Sequence, residues 1–322
     1  MAQAPQPLDQ TFLTGLVAGV AARLEHPTHI LQSVRCIARP ALVEILLTVR
    51  DELAIPGHKR VTATTLLEVL RDAGIAHIVP LQDRAKDVRV DRLYAIGFGG
   101  ASTDLDPVEL LQAHEPDGVV CYFTALALLG LTTQLPAHHH IARLVKAVVT
   151  SGAAAVTPAL DPTAEVGPAR APAAQPSLGS RAFSYQGIPY YTTRREAHRV
   201  IGVQTRYINE KSRYQVTTLE QTLVDTLHRP HSCGGPAVVF EAWGAAGDQL
   251  DGPRLAALVR AIGDERLARR VGYMLSQFAP AHVESVRVLV LASRTATGPD
   301  VIPLLTGIPQ TSIDSTWGVG VP

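Results

Sequence analysis

The chain has 322 residues, 46% of them hydrophobic, which is enough apolar material for two or three separately cored domains. Its 29 Lys and Arg balance 29 Asp and Glu, so a uniformly basic nucleic-acid binder is excluded and any phosphate-binding surface must be a local patch. Cys36, Cys121 and Cys233 are too few and too far apart for a disulfide framework or a C-x-x-C zinc pattern, and they fit a reducing cytoplasm.

Near the start, "FLTGLVAGVAARL" is apolar, follows no Lys or Arg and is too short to span a bilayer. It reads as a buried or docking helix within a helical region over residues 8–55. Leu42, Ile45, Leu46, Val49 and Leu53 recur on one helical face, and Pro56-Gly57 ends the pattern. In "HKRVTATTLLEVLRDAGI" (58–75), Thr62 or Thr64 caps a helix. Leu66, Leu67 and Leu70 form its apolar face, Glu68 and Arg71 stay exposed, and Gly74 stops it. Ile78, Val79 and Leu81 then read as a strand, "QDRAKD" as a charged tip and "VRVDRLYAI" as a second strand. Helix, turn, helix and basic-tipped hairpin is the order of a winged helix, a module that binds DNA or protein.

Residues 104–131 read as two helices. The first, "DPVELLQAH", has an Asp cap and Pro in its first turn; the second, "GVVCYFTALALLGL", is apolar nearly all round and belongs in a core. "ARLVKAVVT" (142–150) is strand-like. Residues 151–180 are dominated by Ala, Pro, Gly and Ser and read as a flexible insert, because they offer too little apolar surface to offset ordering entropy. Strands are expected in "AFSYQGIPYYTT", "HRVIGVQTRYI" and "YQVTT", then helices over 218–229, 236–245, 253–261 and 264–278. "SVRVLVLAS" reads as a strand before the closing "SIDSTWGVGVP". The expected class is α/β (α+β), with a first domain over 1–100 and a second over 101–322.

Among chemical signals, "HHH" at 138–140 lacks accompanying ligand spacing and reads as a solvated loop. "GFGG" at 97–100 lacks the G-x-G-x-x-G order, and no G-x-S-x-G is present. No cofactor or metal is expected. The stretch "VTTLEQTLVDTLHRPHSCGG" (216–235) has two readings. In the first, Thr217 and Glu220 form a capping box, and Leu219, Leu223, Val224 and Leu227 are the buried stripe. His228 and Arg229 then complement the helix dipole before Pro230 and Gly234-Gly235 turn the chain. In the second, Glu220, Asp225 and His228 act as metal or acid–base residues of a nucleic-acid-processing enzyme.

The same stretch, followed by "VVFEAW" and "RLARRVGYMLSQF", resembles the core of the AbiEi antitoxins of type IV toxin–antitoxin systems. Glu220, Thr222, Leu223, Asp225, Pro230, Gly234 and Gly235 match the family pattern, and Gln221 stands where an Arg is usual. "CYFTALALLGLTTQLP" (121–136) and the terminal "STWGVGV" resemble further family segments, so the likeness runs from 119 to 321. The N-terminal 55 residues and the 151–180 insert depart from it.

The resemblance implies an N-terminal winged helix, an α/β C-terminal domain and no enzymatic activity. It implies a cytoplasmic autorepressor that binds inverted repeats in double-stranded DNA upstream of its own operon. As an antitoxin in phage defence, it would counter a nucleotidyltransferase-like toxin without a stable complex. No nucleotidyltransferase signature occurs in the chain, which matches the antitoxin side. The recognition helix would span 62–73, with His58, Lys59 and Arg60 before it and Thr62, Thr64, Thr65 and Arg71 facing the duplex. Arg84, Lys86 and Arg89 would ride on the wing. A second basic run, 192–214, contains Arg194, Arg195 and Arg206 near Tyr190, Tyr191 and Tyr207, which suits either a nucleic-acid track or the polar face of a sheet. The remaining alternative is a protein-binding winged-helix adaptor.

Overall fold

The computed structural model describes residues 9–25, 35–55, 58–82, 92–97, 105–146, 178–208, 213–293 and 301–322. Arg84, Lys86 and Arg89, Pro56-Gly57, most of "GFGG" and nearly all of the 151–180 insert lie outside them. The described residues form a mixed α+β fold with three sheets.

Helix α1 (Gln10–Glu25) buries Phe12, Leu16, Val20 and Leu24 in one core with α2 (Arg39–Leu53), as the apolar stretch predicts. Gly15 and Gly19 allow the close approach, because a Cβ at either would run into Leu53 or Val49 of α2. The helical reading of 8–55 misses β1 (Cys36–Ala38). Helix α3 (Ala63–Asp72) starts at Thr62, whose hydroxyl accepts from the Thr65 amide at 3.3 Å. It stops at Gly74, which takes φ +68. Strands β2 (Ala76–Ile78) and β3 (Leu93–Ile96) complete an antiparallel sheet ordered β1-β3-β2. Period-2 alternation divides this sheet: Ile37, Ala76 and Tyr94 face the three helices, whereas Cys36, Leu93 and Ala95 join the next core.

That next core also contains α4 (Pro107–His114), started by a full capping box between Asp106 and Glu109. The central sheet is mixed, ordered β6-β7-β5-β4-β9-β8. Its strands are β4 (Val119–Val120), β5 (His139–Val145), β6 (Ser180–Tyr185), β7 (Ile188–Glu196), β8 (Val203–Tyr207) and β9 (Arg213–Thr217). Val120, Ile141, Tyr190 and Val216 point toward α4 and the first sheet; Cys121 and Ala142 point toward the helices on the other side. Backbone hydrogen bonds between Gln82 and Ser184, at 3.0 and 2.8 Å, stitch the chain after β2 to β6.

The opposite face is covered by α5 (Tyr122–Leu128), α6 (Leu219–His228), α7 (Pro236–Ala246), α8 (Gly252–Ile262), α9 (Glu265–Phe278) and α10 (Val283–Ser293). Three expectations need correction here. "GVVCYFTALALLGL" divides into β4 and a shorter α5, although it is central to a core as expected. "SVRVLVLAS" lies in α10, where Val286 and Val290 are buried and Val288 is exposed, an i, i+4 burial pattern. The cap of α6 is Thr218, whose hydroxyl accepts from the Gln221 amide at 3.3 Å; Thr217 instead shares a 2.7 Å hydrogen bond with the Thr222 hydroxyl.

A small C-terminal sheet of β10 (Ile302–Pro303), β11 (Ser312–Asp314) and β12 (Val319–Val321) is ordered β10-β12-β11. Arg269 of α9 donates to the Trp317 carbonyl at 2.7 Å and to the Gly318 carbonyl at 2.5 Å. The Trp317 ring fills the space above Gly272, where a Cβ would overlap it. Gly272→Ala is therefore expected to destabilise by about 1–3 kcal/mol through overpacking, despite the better helix propensity of alanine. Urea denaturation of the variant checks this, and an unchanged midpoint would count against the packing described.

Candidate functional site

Burial of Leu66, Leu67 and Leu70 against α2 fixes the outward face of α3. Thr62, Thr64, Glu68, Arg71 and Asp72 are exposed, and Thr65 is half-buried within the cap. The turn before α3 exposes Lys59 and Arg60 at its amino end. His58 faces inward, its ring stacked on Phe12 at 4.4 Å between centroids. Lys59, Arg60 and Arg71 thus share this surface with Glu68 and Asp72.

The second basic run separates by strand direction. Arg195 is only 9% exposed in its side chain and grips Asp225 of α6 with two hydrogen bonds, at 2.5 and 2.6 Å. Asp225 is fully buried and also accepts from Gln221 at 2.9 Å. Gln221 donates to the Arg199 carbonyl and accepts from the Gly202 amide, so it ties the carboxylate to the turn after β7. Arg195 is a buried structural cation and not a surface contact, because a buried carboxylate requires a matched charge. Arg206 turns back to donate to the Leu128 carbonyl at 3.1 Å. Arg194 remains exposed.

Arg194 and Arg195 open into a cleft of about 420 Å³ between the end of β7, α6 and the α8–α9 turn. Five arginines line it (Arg194, Arg195, Arg199, Arg229 and Arg270) against Glu196, Asp225 and Asp264. Tyr122 lies under two of them, with the Arg195 and Arg229 guanidinium carbons 5.2 and 5.9 Å from its ring centroid. Its backbone takes φ +55, a conformation that costs a side-chain-bearing residue roughly 1–2 kcal/mol. Burial raises its phenol pKa, and its buried hydroxyl has no hydrogen-bond partner among the described residues. His228 stands in this cleft with its pKa lowered by desolvation and next by Arg195. Glu220 is buried and 3.8 Å from Arg254. Asp225 and His228 line the same cleft, Glu220 is not among its lining residues, and both Asp225 oxygens are engaged by Arg195. Among the described residues no three His, Cys, Asp or Glu side chains gather as a metal site.

The three consecutive histidines are not a solvated loop. His139 and His140 lie inside β5, 5% and 0% exposed. His140 stacks on Tyr191 at 5.3 Å and bonds His138 at 2.9 Å; His139 packs on Tyr190 at 4.9 Å and bonds the Thr124 hydroxyl at 3.3 Å. Their partners come from β7, aligned by the parallel pairing of His139 with Tyr190 and His140 with Tyr191. Sequence reasoning missed Tyr122, Arg199 and Arg270 as cleft residues. The charge-dense "RREAHR" was the available signal for one of them.

No protein-family model matches the chain, and no curated protein matches it. Among solved structures it is similar to the crystal structure of the Rv2827c protein from Mycobacterium tuberculosis, with a TM-score of 0.54 and 14% sequence identity. The likeness covers 98% of this chain and 93% of that one and concerns the fold alone. No helix among the described residues is long and apolar enough to cross a membrane.

Proposed function

We propose that the chain is a cytoplasmic, sequence-specific DNA-binding repressor of its own operon and the antitoxin of a type IV toxin–antitoxin system. The antitoxin part rests on the resemblance of the 119–321 segments to the AbiEi antitoxins. The DNA-binding part is carried by one observation, the order α1-β1-α2-α3-β2-β3 with an antiparallel β1-β3-β2 sheet. This order supports a winged-helix reading, in which α3 takes the recognition position. In this reading Lys59 and Arg60 meet phosphates at the amino end of α3, where helix geometry favours anions. Thr62, Thr64 and Arg71 reach the groove and its backbone, and Arg84, Lys86 and Arg89 supply wing contacts.

The test is equilibrium binding to a duplex carrying the gene's own upstream repeats, measured across a salt series. The triple variant Lys59→Ala, Arg60→Ala, Arg71→Ala is expected to lower the log–log salt slope by about 2–3 and to weaken binding more than tenfold. Arg287→Ala on α10, away from this surface, is expected to leave binding unchanged. Equal affinity for the upstream repeats and an unrelated duplex would remove the repressor reading. A nucleotidyltransferase gene beside this one would favour the antitoxin assignment.

A further inference from the structure

We propose that the arginine-lined cleft at the end of β7 binds a mononucleotide, independently of the α3 surface. Its volume of about 420 Å³ lies within the range of small-molecule pockets, about 300–1,000 Å³. Two of its three carboxylates are already committed: Asp225 is neutralised by Arg195, and Asp264 caps α9 by accepting from the Leu267 amide. The third, Glu196, pairs with Arg199 at 3.3 Å, which leaves the lining with an excess of guanidinium charge. Arg270 is held below its usual pKa, first by desolvation, and its Nε has no partner among the described residues. A phosphate monoester suits this lining, because a guanidinium fork matches its oxygens two at a time.

The rest of the lining suits a nucleoside. Val224, Ile262 and Leu267 give the cleft an apolar wall. Tyr122, fully buried beneath Arg195 and Arg229, brings a hydroxyl that no residue of the described chain satisfies. A buried polar atom left without a partner costs on the order of 1–3 kcal/mol, and a strained backbone in the same residue adds to that cost. Both costs fall on one side chain lining the cavity, which is the pattern of a preorganised ligand group.

The test is titration calorimetry of the full chain with AMP, GMP, CMP and UMP, with adenosine and inorganic phosphate as the two halves, and with a 5′-phosphorylated oligonucleotide. At least one mononucleotide is expected to bind at least tenfold more tightly than either half. Arg194→Ala with Arg199→Ala, both exposed side chains, is expected to weaken that binding at least tenfold with the fold intact by circular dichroism. The Lys59, Arg60, Arg71 triple variant is expected to bind the nucleotide normally, which separates this site from the DNA-binding proposal. The inference is overturned if no mononucleotide binds at millimolar concentration, or if the double variant binds as tightly as the native chain. It is equally overturned if inorganic phosphate binds as well as every mononucleotide, or if the oligonucleotide binds and no mononucleotide displaces it.

Discussion

Asp225→Ala is expected to cost about 3–5 kcal/mol of stability, the loss that follows when one member of a buried ion pair is removed. Asp225 is fully buried, and its partner Arg195 is nearly so, with both carboxylate oxygens engaged by the guanidinium. Truncation leaves the nearly buried Arg195 guanidinium beside the Tyr122 ring without the carboxylate that it grips. Asp225→Asn preserves the shape but removes the charge, so it is expected to recover only part of the loss. The double replacement Arg195→Met, Asp225→Leu removes both charges together and is expected to be more stable than either single truncation. Guanidinium denaturation of the four proteins measures this directly. A loss below 1 kcal/mol in Asp225→Ala would mean that the pair is solvated, and the same result would restore Asp225 as a candidate for chemistry.

The pair also illustrates what the sequence carries and what it lacks. Local signals were readable because their physics is local: Asp106 with Glu109, Thr62 before α3 and Gly74 after it are set by neighbours within one turn. The cap of α6 is Thr218 rather than the expected Thr217, because two threonines are adjacent and only tertiary packing chooses between their hydroxyls. Strand β1 is three residues long between two helical patterns, too short for a period to register. In α10 the spacing of Val286, Val288 and Val290 imitates alternation, and only the exposure of Val288 separates the helix from a strand. The inward turn of Arg195 was hidden for a different reason. Its partner lies 30 positions away on another element, and a dense run of charge ordinarily means solvent. The available clue was Asp225 itself, one position after Val224 and two before Leu227 in a buried stripe, where a carboxylate needs a cation.

Stability is expected to fall as pH drops from about 6.5 toward 5, and His139 carries a calculable share of that fall. Burial against Tyr190 and Thr124, then the charge of His138, push its pKa down to about 4. His140 is lowered well below its ordinary value by burial, then by His138, Arg229 and His139. The unfolded chain takes up protons at these imidazoles near pH 6.5, whereas the folded chain keeps them neutral until far lower pH. The unfolded state therefore binds more protons throughout this window, so the contribution is complete above the unfolded value and shrinks as acid is added. For His139 alone the loss is about 2 kcal/mol by pH 5. His114, His138 and His228, all lowered chiefly by burial, act in the same direction. His139→Phe retains an aromatic ring against Tyr190 and removes one titrating group; it is expected to be less stable at pH 7.5 for want of the Thr124 hydrogen bond, yet to lose less between pH 7 and 5. Urea midpoints for both proteins at half-unit pH steps give the two slopes. Parallel slopes would show that His139 is protonated in the folded state, and the stacked pairing of β5 on β7 would then have to admit water.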